Sequence, residues 1–244
     1  MKPRLDQLLV SRGLCESREK AKRLILAGEV IVAGIERPKP GQTVPEDIDL
    51  RVKTPPKYVG RGGFKLEGAL ADFEIDPAGM IGLDIGASTG GFTDCLLQQG
   101  AKKVFAIDVG TNQLVYKLRT DPRVECREQF NARHLTPDDL GGTLVDIIVI
   151  DVSFISLTLI LGPAFSVLAP HGQIVCLVKP QFELRREQVG KGGIVRDESL
   201  RQEAVDKIRN HVENDLAKCW RGHAASAISG TDGNQEYLAW LTHP

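Results

Sequence analysis

Apolar and polar positions along the chain divide it into a short front part and a longer body. Leu5, Leu8 and Leu9 recur at helical spacing, and Gly13 supplies a stop. Ser17 is a suitable N-cap for a second helix, Glu19 suits its first turn, and Ala21, Leu24 and Ile25 give it an apolar face that ends at Gly28. Weak alternation over Glu29–Ala33 and again over Ile48–Val52 predicts two strands separated by a turn at Gly34. The front part therefore reads as a small α+β unit over residues 1–54. Pro55, Pro56, Gly60, Gly62 and Gly63 mark residues 55–63 as a linker.

The body, residues 64–244, has a different rhythm. A helix over Phe64–Phe73 precedes apolar runs that alternate with amphipathic ones. The predicted order is strand Ile81–Ile85, helix Phe92–Gln99, strand Lys103–Ile107, helix Asn112–Leu118, strand Val124–Arg127, strand Val145–Ile150, helix Leu157–Leu168 and strand Gln173–Val178. A long helix over Leu200–Asp215 follows, with closing strands near Lys218–Ile228 and Glu236–Leu241. Strands alternating with helices predict an α/β fold with a Rossmann-like, mostly parallel sheet covered on both faces. The continuous run Ile147–Ile150 suits a central strand. The last strand is expected to be antiparallel. No internal repeat or low-complexity segment interrupts this pattern.

Composition narrows the setting. Net charge is −1 overall, but residues 1–60 hold 12 Lys and Arg against 8 Asp and Glu, a net of +4, while the rest carries −5. A basic front on an acidic body suggests that the front meets a polyanion. The five cysteines (Cys15, Cys95, Cys126, Cys176 and Cys219) are widely spaced without a Cys-x-x-Cys pair, which fits a reducing compartment and predicts no metal site. Charged residues interrupt the first 30 positions, and no stretch approaches the ~18 apolar residues of a membrane span. A cytoplasmic protein without membrane contact is expected.

The sharpest local signal is Leu83-Asp84-Ile85-Gly86-Ala87-Ser88-Thr89-Gly90-Gly91-Phe92, placed between a strand and a helix. Small residues let a ligand approach the backbone, and the helix N-terminus favours an anionic group. The spacing Gly86-x-x-x-Gly90-Gly91 departs from the Gly-x-Gly-x-x-Gly of dinucleotide sites and disfavours a nicotinamide cofactor. Asp108, at the end of the next strand, can accept both hydrogen bonds of a ribose diol. Asn131 and Asp151 follow at the ends of later strands. Together these features favour S-adenosylmethionine, with Asp84, Gly86, Ala87, Ser88, Gly90, Gly91, Phe92, Asp108, Val109, Asn131 and Asp151 as the candidate cofactor set.

Lys65, Asp151, Lys179 and Glu236 form the candidate catalytic set. Asp151 and Lys179 leave apolar strands at their carboxyl ends, and ionisable groups there are costly unless satisfied or used. Glu236 starts the last candidate strand. If that strand is antiparallel, its start lies beside the same sheet edge, which Lys65 could reach from its helix. Two lysines and two carboxylates in one cleft suit activation of an alcohol. A lysine of ordinary pKa, ~10.4, is a poor base at neutral pH, but desolvation and a second lysine lower that value while carboxylates oppose the change. Four unrelated surface charges are the competing interpretation.

These residues resemble the FtsJ-like ribose 2′-O-methyltransferases, whose active site is a Lys-Asp-Lys-Glu tetrad in this chain order. The matching stretches are Gly62-Gly63-Phe64-Lys65-Leu66, Ile150-Asp151-Val152-Ser153-Phe154, Val178-Lys179-Pro180-Gln181-Phe182 and Gly233-Asn234-Gln235-Glu236-Tyr237. The front, through Arg4-Leu5-Asp6-Gln7-Leu8-Leu9 and Ser17-Arg18-Glu19-Lys20-Ala21, resembles the alpha-L type of RNA-binding domain found in ribosomal protein four. The combination is similar to the TlyA family, also named hemolysin A, across nearly the whole chain. The resemblance implies methylation of a cytidine 2′-hydroxyl in ribosomal RNA. The short ends of the chain resemble members that act on the large subunit; some members also act on the small one. Ala33-Gly34 stands where the family often has Asn-Gly. Arg4, Arg18, Lys20, Lys22 and Arg23 are the candidate RNA contacts, with Arg18 and Lys22 neighbours at i, i+4. Rival readings are a non-catalytic RNA-binding or ribosome-assembly factor and, more remotely, a hemolysin.

Overall fold

A computed structural model describes residues 2–53, 56–230 and 232–244, and it divides the chain into two compact units, 1–57 and 58–244. In the first unit, helices α1 (Leu5–Ser11) and α2 (Arg18–Leu26) pack beside a two-stranded antiparallel sheet, β1 (Val30–Val32) and β2 (Leu50–Val52). Leu5, Leu8, Leu9, Ala21, Ile25, Val30, Val32, Val44 and Leu50 make its small core. The Ser17 side chain accepts the Lys20 amide hydrogen and caps α2, as its sequence position predicts.

The second unit begins at Tyr58, inside the stretch read as a linker. Tyr58 is buried, its ring packs edge-on against Phe64 at 5.1 Å, and it covers Gly63, where a Cβ would collide with that ring. The Val59 amide donates to buried Asp94 at 2.9 Å. The segment before helix α3 (Gly62–Asp72) is thus packed onto the second unit.

Seven strands follow: β3 (Ile81–Ile85), β4 (Lys103–Ile107), β5 (Val124–Arg127), β6 (Val145–Ile150), β7 (Leu168–Val178), β8 (Cys219–Ala225) and β9 (Tyr237–Thr242). Their order is β5-β4-β3-β6-β7-β9-β8. The first five pair in parallel; β9 is antiparallel to both β7 and β8. Ile147, Ile148, Val149 and Ile150 are fully buried in two different clusters, because side chains of one central strand alternate between the two covered faces. The chain leaves β3 toward β4 on one side and returns to β6 on the other. The gap between the carboxyl ends of β3 and β6 is therefore a topological switch point, where open α/β sheets bind ligands.

Helices α4 (Gly91–Gln98), α5 (Tyr116–Arg119), α6 (Leu161–Ser166), α7 (Pro180–Glu183) and α8 (Glu198–Asn210) complete the unit. Three predicted helices need correction. The first, over Asn112–Leu118, shrinks to α5. The Glu128 carboxylate accepts the amides of Asn112, Gln113 and Leu114, which wraps that stretch around one side chain. The second, over Leu157–Leu168, becomes a 3-10 turn at Leu157–Leu159 followed by α6, and Leu168 already pairs with Val145. The third, over Leu200–Asp215, begins earlier at Glu198, under an Asp197 cap, and ends in a π-turn at His211–Asp215.

Candidate functional site

Two glycines bring the loop after β3 close to its neighbours, Gly86 to the end of β6 and Gly90 to α5. Gly86 has φ +86, and a Cβ there would run into the carbonyl oxygen of Asp151. Gly90, the N-cap of α4, has φ +102, and a Cβ there would overlap the Leu118 side chain. L-residues avoid this backbone region, and here they also lack space. The Gly86 amide donates to Ile107 O at 2.9 Å and the Asp151 amide to Ile85 O at 3.0 Å, which ties the ends of β3, β4 and β6 together.

The loop's carboxylates play different parts. Asp108 accepts the Ser88 amide at 2.8 Å on one oxygen and the Gly110 amide at 2.7 Å on the other, so the turn around it is preset. Asp84 is fully buried beneath the loop. One of its oxygens accepts from the Thr93 amide at 2.9 Å and the Thr93 hydroxyl at 2.6 Å, bracing the start of α4; the other has no partner among the described residues. Burial pushes its carboxyl up to about 7; the Thr93 hydroxyl opposes this, and the nearby Asp151 and Asp108 add to it. Val109 is exposed, while Asn131 accepts the Arg133 amide at 3.2 Å. A cavity of about 100 Å³ is lined by Gly86, Ala87, Ser88, Gly91, Phe92 and Asp151 of the predicted set, together with Gly60, Arg61, Gly62 and Thr89.

All four candidate catalytic residues line a second cavity of about 290 Å³, which shares Arg61, Gly62, Gly86, Ser88 and Asp151 with the first. Lys65 comes from α3 and donates to Glu236 at 2.5 Å. Lys179, one residue past β7, lies 2.5 Å from Asp151 Oδ1 as an ion pair and donates to Ser153 Oγ at 3.0 Å. Both lysines are 9% exposed and Glu236 is 3% exposed. Glu236 precedes β9, whose first residue pairs with Val178, so the antiparallel strand delivers it beside Lys179. Asn234 anchors this approach: it is buried, accepts the Val195 amide at 2.9 Å and donates to Gly193 O at 2.8 Å.

Sequence reasoning did not single out Arg61, Ser153, Thr93 or Asn234 for any of these parts. It also gave no role to Phe154, which stands at φ +63 with 92% exposure beside the tetrad, its ring 5.1 Å from that of Phe182. Ser153, Phe154 and Asn234 lie inside the quoted motifs, and that proximity was the available signal.

In the first unit, Arg4 pairs with buried Asp6 at 2.9 Å, Arg18 approaches the same carboxylate at 3.7 Å, and Lys20 pairs with Glu16 at 2.9 Å. The Arg4 guanidinium holds the Asp6 carboxyl below its usual range. Lys22 and Arg23 have no acidic partner among the described residues. The candidate RNA contacts therefore separate into an internally braced group and a free pair.

A doubly wound sheet with a glycine-bent loop at its switch point and paired lysine–carboxylate groups beside it defines a Rossmann-like group-transfer enzyme. The chain belongs to the FtsJ-like methyltransferase family, whose model matches residues 58–243, and carries an S4 domain at residues 3–47. It is 46% identical to the 16S/23S rRNA (cytidine-2′-O)-methyltransferase TlyA of Mycobacterium tuberculosis, over 98% of this chain and 89% of that protein. It is also 46% identical to hemolysin A of Brachyspira hyodysenteriae, over 97% of this chain and 98% of the relative. A solved structure from Streptococcus thermophilus that carries the name hemolysin is 47% identical, with TM-score 0.75, over 99% of this chain and 88% of that one. No helix among the described residues is long and apolar enough to cross a membrane.

Asp84 gives this site a pH signature. In the folded protein its proton is held up to about pH 7, whereas the unfolded chain loses it near pH 4. The folded state therefore binds more protons across that window, and Asp84's contribution to stability declines as pH rises from about 4 to about 7, then levels off. Urea unfolding of wild type and Asp84→Asn across pH 4–8 should show wild type losing stability relative to the variant through this window. A pH-independent difference would contradict the assignment.

Proposed function

We propose that the protein transfers a methyl group from S-adenosylmethionine to a ribose 2′-hydroxyl of ribosomal RNA, a cytidine of the large subunit being the favoured acceptor. The observation that carries this reading is the convergence of Lys65, Asp151, Lys179 and Glu236 on one cavity next to the cofactor loop. The residues fit the cofactor. Asp108 and Asp151 provide negative potential for a ligand with ammonium and sulfonium charges, and the Asp84 oxygen without a partner among the described residues is a further polar group beneath the loop. The cavity beside the loop, lined by Gly86, Ala87, Ser88, Gly91, Phe92 and Asp151, supports this part of the reading, whereas Asp108, Val109 and Asn131 line neither cavity and enter as candidates from their strand-end positions alone. The cofactor, when bound, supplies an activated methyl whose leaving group is a neutral thioether.

The chain's own groups handle the alcohol. Lys179 Nζ accepts the hydroxyl proton as the oxygen is methylated, and Asp151 stabilises the ammonium that results. Ser153 fixes the direction of the Lys179 side chain. Lys65 and Glu236 hold the ribose from the other wall. Alignment of oxygen, methyl carbon and sulfur then carries much of the rate. Phe154 offers an aromatic face beside the acceptor on which a splayed base can stack. In the first unit, Lys22 and Arg23 offer free charge to phosphates.

Two experiments test this reading. Lys179→Met should reduce transfer of labelled methyl to ribosomal RNA by about 100-fold or more, with cofactor affinity by calorimetry preserved; transfer at the wild-type rate would remove Lys179 from the chemistry. Lys22→Gln with Arg23→Gln should lower RNA affinity and flatten the log–log salt dependence by about 1 per lost contact. An unchanged slope would detach these residues from RNA.

A further inference from the structure

Resting on that reading of the tetrad, we infer that Glu183 is a positioning residue that sets the geometry of the Asp151–Phe154 loop against Lys179. Glu183 lies four residues beyond Lys179, at the end of α7, and its side chain is 2% exposed. It lines neither cavity, so it acts through other groups. One carboxylate oxygen accepts the Leu157 amide at 2.8 Å. The other accepts the Ser156 hydroxyl at 2.5 Å and the Lys207 ammonium at 3.0 Å. Lys207, from α8, also donates to the Glu183 carbonyl at 2.7 Å.

These contacts join two segments that also meet at the cavity, and they do so at the far end from the reacting groups. The β6 loop runs from Asp151 through Ser153 and Phe154 to Ser156, which caps the 3-10 turn at Leu157–Leu159. The β7 loop runs from Lys179 through Phe182 to Glu183. At the cavity they touch through Lys179 with Asp151 and Ser153, then through the Phe154–Phe182 ring pair. Glu183 closes the far end of this ladder. Phe154 sits between the two anchors in a left-handed conformation, which a non-glycine residue keeps only when its surroundings fix it. A buried carboxylate with three donors is a rigid support, because releasing it would strand a charge in the interior.

The test uses the full-length protein and four forms: wild type, Glu183→Ala, Glu183→Gln and Lys207→Met. Steady-state methyl transfer to ribosomal RNA, cofactor affinity by calorimetry and amide hydrogen exchange over residues 151–158 are measured for each. Glu183→Ala should lower kcat by about 100-fold, the scale of an ångström-level misplacement, with KM for RNA and cofactor affinity nearly unchanged. Exchange at residues 151–158 should accelerate while β6 stays protected. Glu183→Gln, which keeps an acceptor for the Leu157 amide, should recover much of the rate. If Glu183→Ala does not fold, Glu183→Gln and Lys207→Met should still show a smaller kcat loss with the same local exchange signature. Wild-type kcat in the variants, a loss confined to KM, or exchange raised across the whole sheet would overturn the inference. Absence of transfer by wild type would instead overturn the proposed reaction, and exchange at residues 151–158 would then decide the brace alone.

Discussion

Two lysines, each nine-tenths buried, share one cavity in this protein, and each has a carboxylate 2.5 Å away. Unpaired ammonium groups would not persist there, since burying an isolated charge is far more costly than any local packing gain. The pairing dictates much else. Lys65 requires α3 to run over the sheet edge, and Glu236 requires an antiparallel β9 that enters beside the end of β7. Asp151 requires β6 to stop level with β3. The mixed sheet is the arrangement that delivers all four groups to one place.

The parallel core was legible because its strands are short apolar runs at regular spacing. The predicted limits of β3, β4, β5 and β6 coincide with the observed ones. The failures have local causes. Glu128 captures three amides and shortens α5, an effect that apolar periodicity does not register. Leu168 is apolar enough for a helix face or a strand, and its pairing with Val145 decides for the strand. The segment Tyr58–Gly63 reads as a linker by composition, yet its glycines permit close packing: Gly63 lies under Tyr58, and Gly60 lies next to Thr89.

The candidate site was legible in type more than in connection. Isolated charges at strand ends pointed to an edge, and family resemblance supplied the tetrad. Which lysine pairs with which carboxylate follows only from the fold. Glu183 shows the limit most clearly. It is one charged residue among several after β7, and nothing near it in sequence announces Ser156, Leu157 or Lys207 as its partners. In the S4 domain, net charge pointed to the front unit as a whole, but it could not distinguish Arg4 and Arg18, both engaged by buried Asp6, from Lys22 and Arg23, which have no acidic partner among the described residues.

In the proposed reaction the paired lysines act on a ribose oxygen. Alkaline cleavage of RNA requires a free 2′-hydroxyl, so the chemistry of the product decides it directly. Ribosomal RNA incubated with the protein and S-adenosylmethionine, then hydrolysed in alkali, should yield one cleavage-resistant dinucleotide that carries the transferred methyl on a cytidine ribose. A methyl recovered on a base, with cleavage at that nucleotide intact, would contradict the account.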